Sequence, residues 1–320
     1  MYAHGEVVSM SKISRLASKL ALSALCLVAA GCAASDTPSI ASNVAVEVLE
    51  ERAGYSRVFL HKTTETGVRD ILVQVTWGPS VPRELGVLLI GGYRVDSYPL
   101  ENDPVKSWAL ESSGYTVVRV GFPRMNMGSD VNFKDIASHP QDVTTVLDYL
   151  RSKSDTFGDV ENSRLAWLGV SMGGITGLII ESAQDPVVDL SGVVSIAGFL
   201  PLRKDGFDVP EYDFTGMAPT LLTASQTDET IPYSLTVGTF NELQSKGSNV
   251  VLLSRQLGLH GAVADCEALN IRLKTFVLEV LSGREVATGG VGGSCMADGV
   301  LEGGTTGFGA ATPLIGAVAP

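Results

Sequence analysis

Leu165-Ala166-Trp167-Leu168-Gly169-Val170-Ser171-Met172-Gly173-Gly174 is the stretch that decides the fold. A short apolar run feeds a Gly-x-Ser-x-Gly turn, and the helix-like stretch Gly174 to Ala183 follows. The spacing has a physical reason. A strand that passes abruptly into a helix lifts the hydroxyl at the turn clear of the sheet, and glycines on either side remove Cβ groups that would clash there. The first N–H groups of the helix then lie beneath the serine, free to stabilise a developing negative charge. An ordinary Gly-rich turn before a helix is the alternative; the strand before and the helix after favour Ser171 as a nucleophile.

Outward from this stretch the same alternation recurs. Gly86 to Ile90, Thr116 to Val120, Val193 to Ala197, Thr220 to Ala224 and Val250 to Leu253 are continuous apolar runs, the pattern of strands buried on both faces. Between them Val105 to Ser112, Gln141 to Ser152, Ile231 to Lys246 and Val263 to Leu281 read as helices. Strands alternating with helices predict an α/β fold, a mostly parallel, doubly wound central sheet flanked by helices. Ahead of it, Val44, Val46 and Val48 alternate, then Val58 and Leu60, then Ile71, Val73 and Val75, which predicts half-buried antiparallel opening strands. From Gly283 onward the chain is Gly-rich without a helical or strand period. Residues 284–320 read as a tail that is flexible or strapped to the body, and residues 43–283 as one catalytic domain.

The N-terminus has a different purpose. Lys12, Arg15 and Lys19 precede an apolar run from Leu20 to Ala30, long enough for an export signal and too short to span a bilayer. The run ends in Leu27-Val28-Ala29-Ala30-Gly31-Cys32. This resembles the bacterial lipobox, which implies a signal over residues 1–31, lipidation of Cys32, and a tether over residues 32–42. Ala29 stands where that box prefers Leu, so ordinary signal cleavage nearby is the competing reading; Met10 is a second candidate start. The expected location is therefore the periplasm or cell surface, on a lipid anchor, or secreted if the lipobox reading fails. Cys266 and Cys295 then remain as a candidate disulfide in an oxidising compartment, against the alternative of a buried helix cysteine and a loose tail cysteine.

The chain has 320 residues, with 23 Lys+Arg against 35 Asp+Glu, and loss of the signal makes it more acidic still. That balance argues against nucleic acid and against a polybasic membrane contact, and favours a small neutral substrate. No His-Glu-x-x-His, Cys-x-x-Cys pair or Gly-x-Gly-x-x-Gly opens a helix or loop, so neither a metal nor another cofactor is expected.

A serine nucleophile needs a base. Of the four histidines only His260, in Leu257-Gly258-Leu259-His260-Gly261, follows Ser171, and it comes directly after a strand-like run. His61 and His139 read as structural or exposed, and His4 leaves with the signal. The carboxylate that orients the imidazole is Asp228, in the loop after the Thr220 run; its competing role is to cap the next helix, and Glu229 or the Asp205, Asp208 and Asp213 cluster are alternatives. A second oxyanion donor is expected where Val87-Leu88-Leu89-Ile90 ends in Gly91-Gly92-Tyr93. Tyr93 N–H and Met172 N–H are the expected pair, or Gly92 if the register shifts.

With these motifs in place, residues 55 to 282 resemble an α/β-hydrolase, nearest to compact cutinase-like or dienelactone-hydrolase-like esterases. The resemblance rests on Gly92-Tyr93, Gly169-Val170-Ser171-Met172-Gly173-Gly174, Asp228-Glu229-Thr230-Ile231-Pro232 and Gly258-Leu259-His260-Gly261. Its order Ser, Asp, His is the order of Ser171, Asp228 and His260. Two departures weigh against polyester substrates: Gly91-Gly92 stands where the family often has His-Gly, and Val170 where many cutinase-like members have Trp or His. The short stretch from Phe199 to Thr220 leaves no room for a large cap domain. The resemblance implies a serine carboxylic ester hydrolase for short-chain esters working through an acyl-enzyme. A peptidase or amidase on the same triad, and a non-catalytic binding lipoprotein, are the competing readings.

Overall fold

A computed structural model describes residues 40–77, 87–92, 116–123, 133–184, 186–201, 211–260, 266–286, 290–295 and 301–302. Among them eleven strands form one sheet in the order β1-β2-β3-β5-β4-β6-β7-β8-β9-β10-β11. The opening strands β1 (Val44–Arg52), β2 (Tyr55–Thr64) and β3 (Gly67–Thr76) form an antiparallel meander. β3 joins it, antiparallel, to β5 (Thr116–Gly121). From there β4 (Val87–Gly92), β6 (Leu165–Val170), β7 (Gly192–Ile196), β8 (Thr220–Ser225), β9 (Val250–Arg255) and β10 (Gly290–Cys295) run parallel, and β11 (Leu301–Glu302) closes the edge antiparallel. Consecutive parallel strands need crossovers, and helices supply them: α1 (His139–Ser152), the single turn α2 (Ser154–Phe157), α3 (Met172–Ser182), α4 (Tyr233–Ser245) and α5 (Glu267–Ser282).

The continuous apolar runs are explained by two cores, one on each face. Trp167, Val193, Leu222 and Leu252 point to the face covered by α1, α3 and α4, while Leu168, Val194, Leu221 and Leu253 point to the face where Leu269, Leu273, Phe276 and Val280 of α5 pack. A strand buried on both sides has no polar face to show, so its sequence does not alternate.

Two expectations need correction. β1 is not half-buried: Val48 is 56 % exposed and Val46 37 %, because β1 is the last strand of the sheet, and among its residues Val44 packs against the core. The Gly-rich tail, read as having no strand period, contributes β10 and β11. Backbone pairing needs only N–H and C=O groups, whereas the sequence signal for a strand is side-chain alternation, which Gly290-Val291-Gly292-Gly293 lacks. The expected helix Val105 to Ser112 lies outside the described residues.

Candidate active site

Three parallel strands end at the same edge and each delivers one residue. Ser171 follows β6, Asp228 lies in the loop after β8, and His260 in the loop after β9, which is the end of a parallel sheet where open α/β folds bind ligands.

Ser171 occupies a backbone conformation, φ 55° and ψ −119°, that non-glycine residues rarely adopt. Such a position costs on the order of 1–3 kcal/mol and persists because its surroundings hold it. They do so tightly. Ser171 N–H donates to the carbonyl of Ile196 at 2.8 Å, and Ile175 N–H to the carbonyl of Ser171 at 3.0 Å, opening α3. A Cβ on Gly169 would overlap the Gly173 backbone, and one on Gly174 would lie 2.6 Å from Ser195 Oγ. Strand and helix therefore approach as closely as the Gly-x-Ser-x-Gly spacing requires. Met172 is the first residue of α3, where the N–H has no intrahelical partner.

Asp228 Oδ2 accepts a hydrogen bond from His260 Nδ1 at 2.8 Å. Its side chain is fully buried, and its other oxygen, Oδ1, accepts from the N–H groups of Thr230 at 2.8 Å and Ile231 at 2.9 Å. Asp228 thus turns its own loop. It does not cap α4, whose cap position is Pro232. With Nδ1 donating, His260 Nε2 is left as the basic nitrogen; it is buried and has no hydrogen-bond partner among the described residues.

The two loops are also tied to each other. Gly258 N–H donates to Thr227 Oγ1 at 3.0 Å, and its carbonyl accepts from Ser225 Oγ at 2.8 Å and Thr227 Oγ1 at 3.1 Å. Gln226 N–H adds a 2.8 Å bond to the carbonyl of Arg255. These ties were not foreseen from the sequence. Ser225 and Thr227, polar residues at the end of an apolar strand, are the signal that could have suggested them.

Other candidate acids fare differently. Glu229 is exposed, and Asp213 accepts from Thr215 N–H at 2.8 Å, two residues on. Asp205, Asp208, Tyr93 and Cys32 lie outside the described residues. Gly92 is the last residue of β4, paired with Gly121 of β5. Cys266 is disulfide-bonded, and Cys295, whose side chain lies outside the described residues, ends β10 with its backbone paired to Arg255. His61 is part-exposed between two carboxylates, but His139 is fully buried. Among the described residues no group of three His, Cys, Asp or Glu is arranged to hold a metal ion.

The sheet order, with Ser171, Asp228 and His260 following β6, β8 and β9, is that of the α/β-hydrolase fold, and solved structures of that fold superpose on it. A thermophilic esterase from the Planctomycetes species Thermogutta terrifontis, with propionate bound, matches with a TM-score of 0.50 at 13 % identity, over 74 % of this chain and 94 % of its own. A putative dienelactone hydrolase from Klebsiella pneumoniae matches with a TM-score of 0.50 at 17 % identity, over 68 % and 94 %. No family model and no curated protein matches the sequence. The chain has the α/β-hydrolase fold.

Proposed function

We propose that this chain is a serine carboxylic ester hydrolase acting on short-chain esters through an acyl-enzyme. One observation carries the reading: the 2.8 Å bond from His260 Nδ1 to the buried Asp228 carboxylate, which leaves His260 Nε2 as an unpartnered base. Ser171 Oγ attacks the ester carbonyl as Nε2 takes its proton. The tetrahedral oxyanion is met by the Met172 N–H, with Tyr93 N–H as second donor. Nε2–H then protonates the leaving alkoxide, and water repeats the sequence to release the acid. No group in this scheme requires a cofactor.

Fluorophosphonate labelling tests the nucleophile. Stoichiometric label on Ser171, absent in Ser171→Ala, supports it; an unlabelled chain favours a binding lipoprotein. A p-nitrophenyl ester series tests the substrate class. Acetyl to hexanoyl esters are expected to outrun longer ones, since each methylene adds about 0.8 kcal/mol only while there is pocket left to cover it. A maximum at dodecanoyl would overturn the short-chain reading, and label without any esterase activity would assign amide or peptide substrates.

We also propose that residues 1–31 are an export signal, that Cys32 carries the lipid anchor, and that Cys266 pairs with Cys295. Intact-mass analysis of the membrane fraction and non-reducing peptide mapping test these. A soluble product beginning elsewhere than Cys32 refutes the anchor, and a peptide joining Cys266 to any other cysteine refutes the pairing.

A further inference from the structure

His139 has no part in the triad, yet it is 1 % exposed in the core beneath the nucleophile helix. Its ring stacks on Phe122, with centroids 3.9 Å apart and planes 6° from parallel. A phenyl ring would fill that place without burying a polar group. The imidazole instead reaches α3: Nδ1 lies 2.8 Å from Thr176 Oγ1, and Thr176 Oγ1 donates to the carbonyl of Met172 at 3.0 Å. A threonine hydroxyl has one proton. With that proton on the Met172 carbonyl, His139 Nδ1–H is the donor to Thr176.

Back-bonding of a threonine to the carbonyl four residues earlier is common in helices and proves nothing alone. Here the hydroxyl is fully buried and is gripped from a second helix, and the carbonyl it holds belongs to the residue that follows the nucleophile. The next carbonyl is held in the same way, since Trp167 Nε1–H donates to Gly173 O at 2.8 Å. Behind His139, Nε2 faces Asp135 Oδ2 at 3.6 Å, and Asp135 is fixed by Arg69 of β3. Thr176, His139 and Asp135 have the residue types of a second triad, but a hydroxyl with no exposure that donates to a carbonyl is not a nucleophile.

We propose that His139 and Thr176 are positioning residues for the oxyanion donor: the imidazole fixes the Thr176 hydroxyl, the hydroxyl holds the Met172–Gly173 peptide, and that peptide adjoins, at Met172 Cα, the Ser171–Met172 peptide whose N–H meets the tetrahedral intermediate. This rests on the Ser171 reading above. A donor set at the wrong angle loses transition-state stabilisation while substrate binding is untouched, so kcat falls and KM does not.

The test compares Thr176→Val, Thr176→Ser, His139→Phe and the Thr176→Val/His139→Phe double variant, with kcat per labelled Ser171, KM for p-nitrophenyl acetate and Tm measured on each. Thr176→Val is expected to lose kcat by about ten- to a hundredfold with KM within about twofold, and Thr176→Ser to recover the rate to within about threefold because the hydroxyl returns. The double variant is expected to be no slower than the slower single one, as for two links of one chain. If His139→Phe does not fold, the Thr176 pair decides alone. A Thr176→Val enzyme with a lowered Tm but wild-type kcat per labelled site would overturn the proposal, as would single-variant losses that multiply in the double. An inactive wild type would overturn this proposal and the esterase reading together, whereas an active wild type with an equally active Thr176→Val overturns this one alone.

Discussion

Asp228 and His260 are joined through Oδ2 and Nδ1 at 2.8 Å, while the second carboxylate oxygen is occupied by the N–H groups of Thr230 and Ile231. The carboxylate is therefore not free to rotate. Both of its oxygens are assigned, one to shaping the loop and the other to selecting the histidine tautomer.

That division predicts the behaviour of Asp228→Asn. The amide oxygen keeps the two backbone bonds, so the amide NH2 faces His260 Nδ1 and drives the ring proton to Nε2, where the base must be empty. Turnover should fall by about three to four orders of magnitude with little change in Tm. Steady-state kinetics and thermal unfolding check this, and an unchanged rate would move the acid elsewhere.

Thr227 both accepts from Gly258 N–H and donates to Gly258 O, two residues before His260. Thr227→Val removes both bonds at an exposed position. The expected result is a kcat lower by about three- to thirtyfold with a stability loss of about 1 kcal/mol or less. Equal kcat in the two proteins would show that the β9 loop does not need this tie.

Arg69 of β3 bonds both Asp135 at 2.6 Å and the fully buried Asp142 of α1, and so joins the opening meander to the helix layer. Arg69→Met leaves Asp135 without its guanidinium and Asp142 with only Lys62 Nζ at 3.8 Å. Unfolding free energy should drop by about 3–5 kcal/mol, read from denaturant titration. Burial alone would raise the Asp135 carboxyl, but the hydrogen-bonded Arg69 guanidinium more than offsets it and holds it below the ordinary carboxylate range. The stability this contributes is present above the ordinary carboxylate range and is lost as pH falls towards 2. Arg69→Met should therefore unfold at higher pH than wild type in an acid titration.

His61 lies between Asp70, 2.8 Å from Nδ1, and Glu47, 3.0 Å from Nε2, on three neighbouring strands. Both ring nitrogens must donate to make these bonds, and the bonds to Asp70 and Glu47 raise its pKa above 6.5. A raised pKa in the folded state stabilises fully below the unfolded value, and the contribution disappears as pH rises through the folded one. The Tm difference between wild type and His61→Gln should thus be largest in mild acid and vanish in mild alkali. A difference constant with pH would show that the strands are not held by an imidazolium.

The sequence by itself determined the local chemistry. Gly169-Val170-Ser171-Met172-Gly173 specifies a strand, a strained turn and a helix because only that sequence pattern relieves the close approach of backbone to backbone. The apolar runs specify strands buried on both faces because nothing polar interrupts them; chain order picks His260, and the loop after the Thr220 run offers Asp228, which the fold then joins to it. Three things were decided only by tertiary structure, each because it depends on what lies opposite. Val46 and Val48 alternate like a covered strand, yet β1 is the outermost strand and is left bare. The glycines of β10 carry no side-chain signal, and they pair because β9 offers a free edge. His139, before a proline, reads as either structural or exposed, and the buried alternative holds because α1 lays it against Phe122 and the hydroxyl of Thr176, 37 residues away in the chain. Periodicity records which face of an element is apolar; which partner meets that face, and which buried polar atom finds its match, is fixed only when the layers pack.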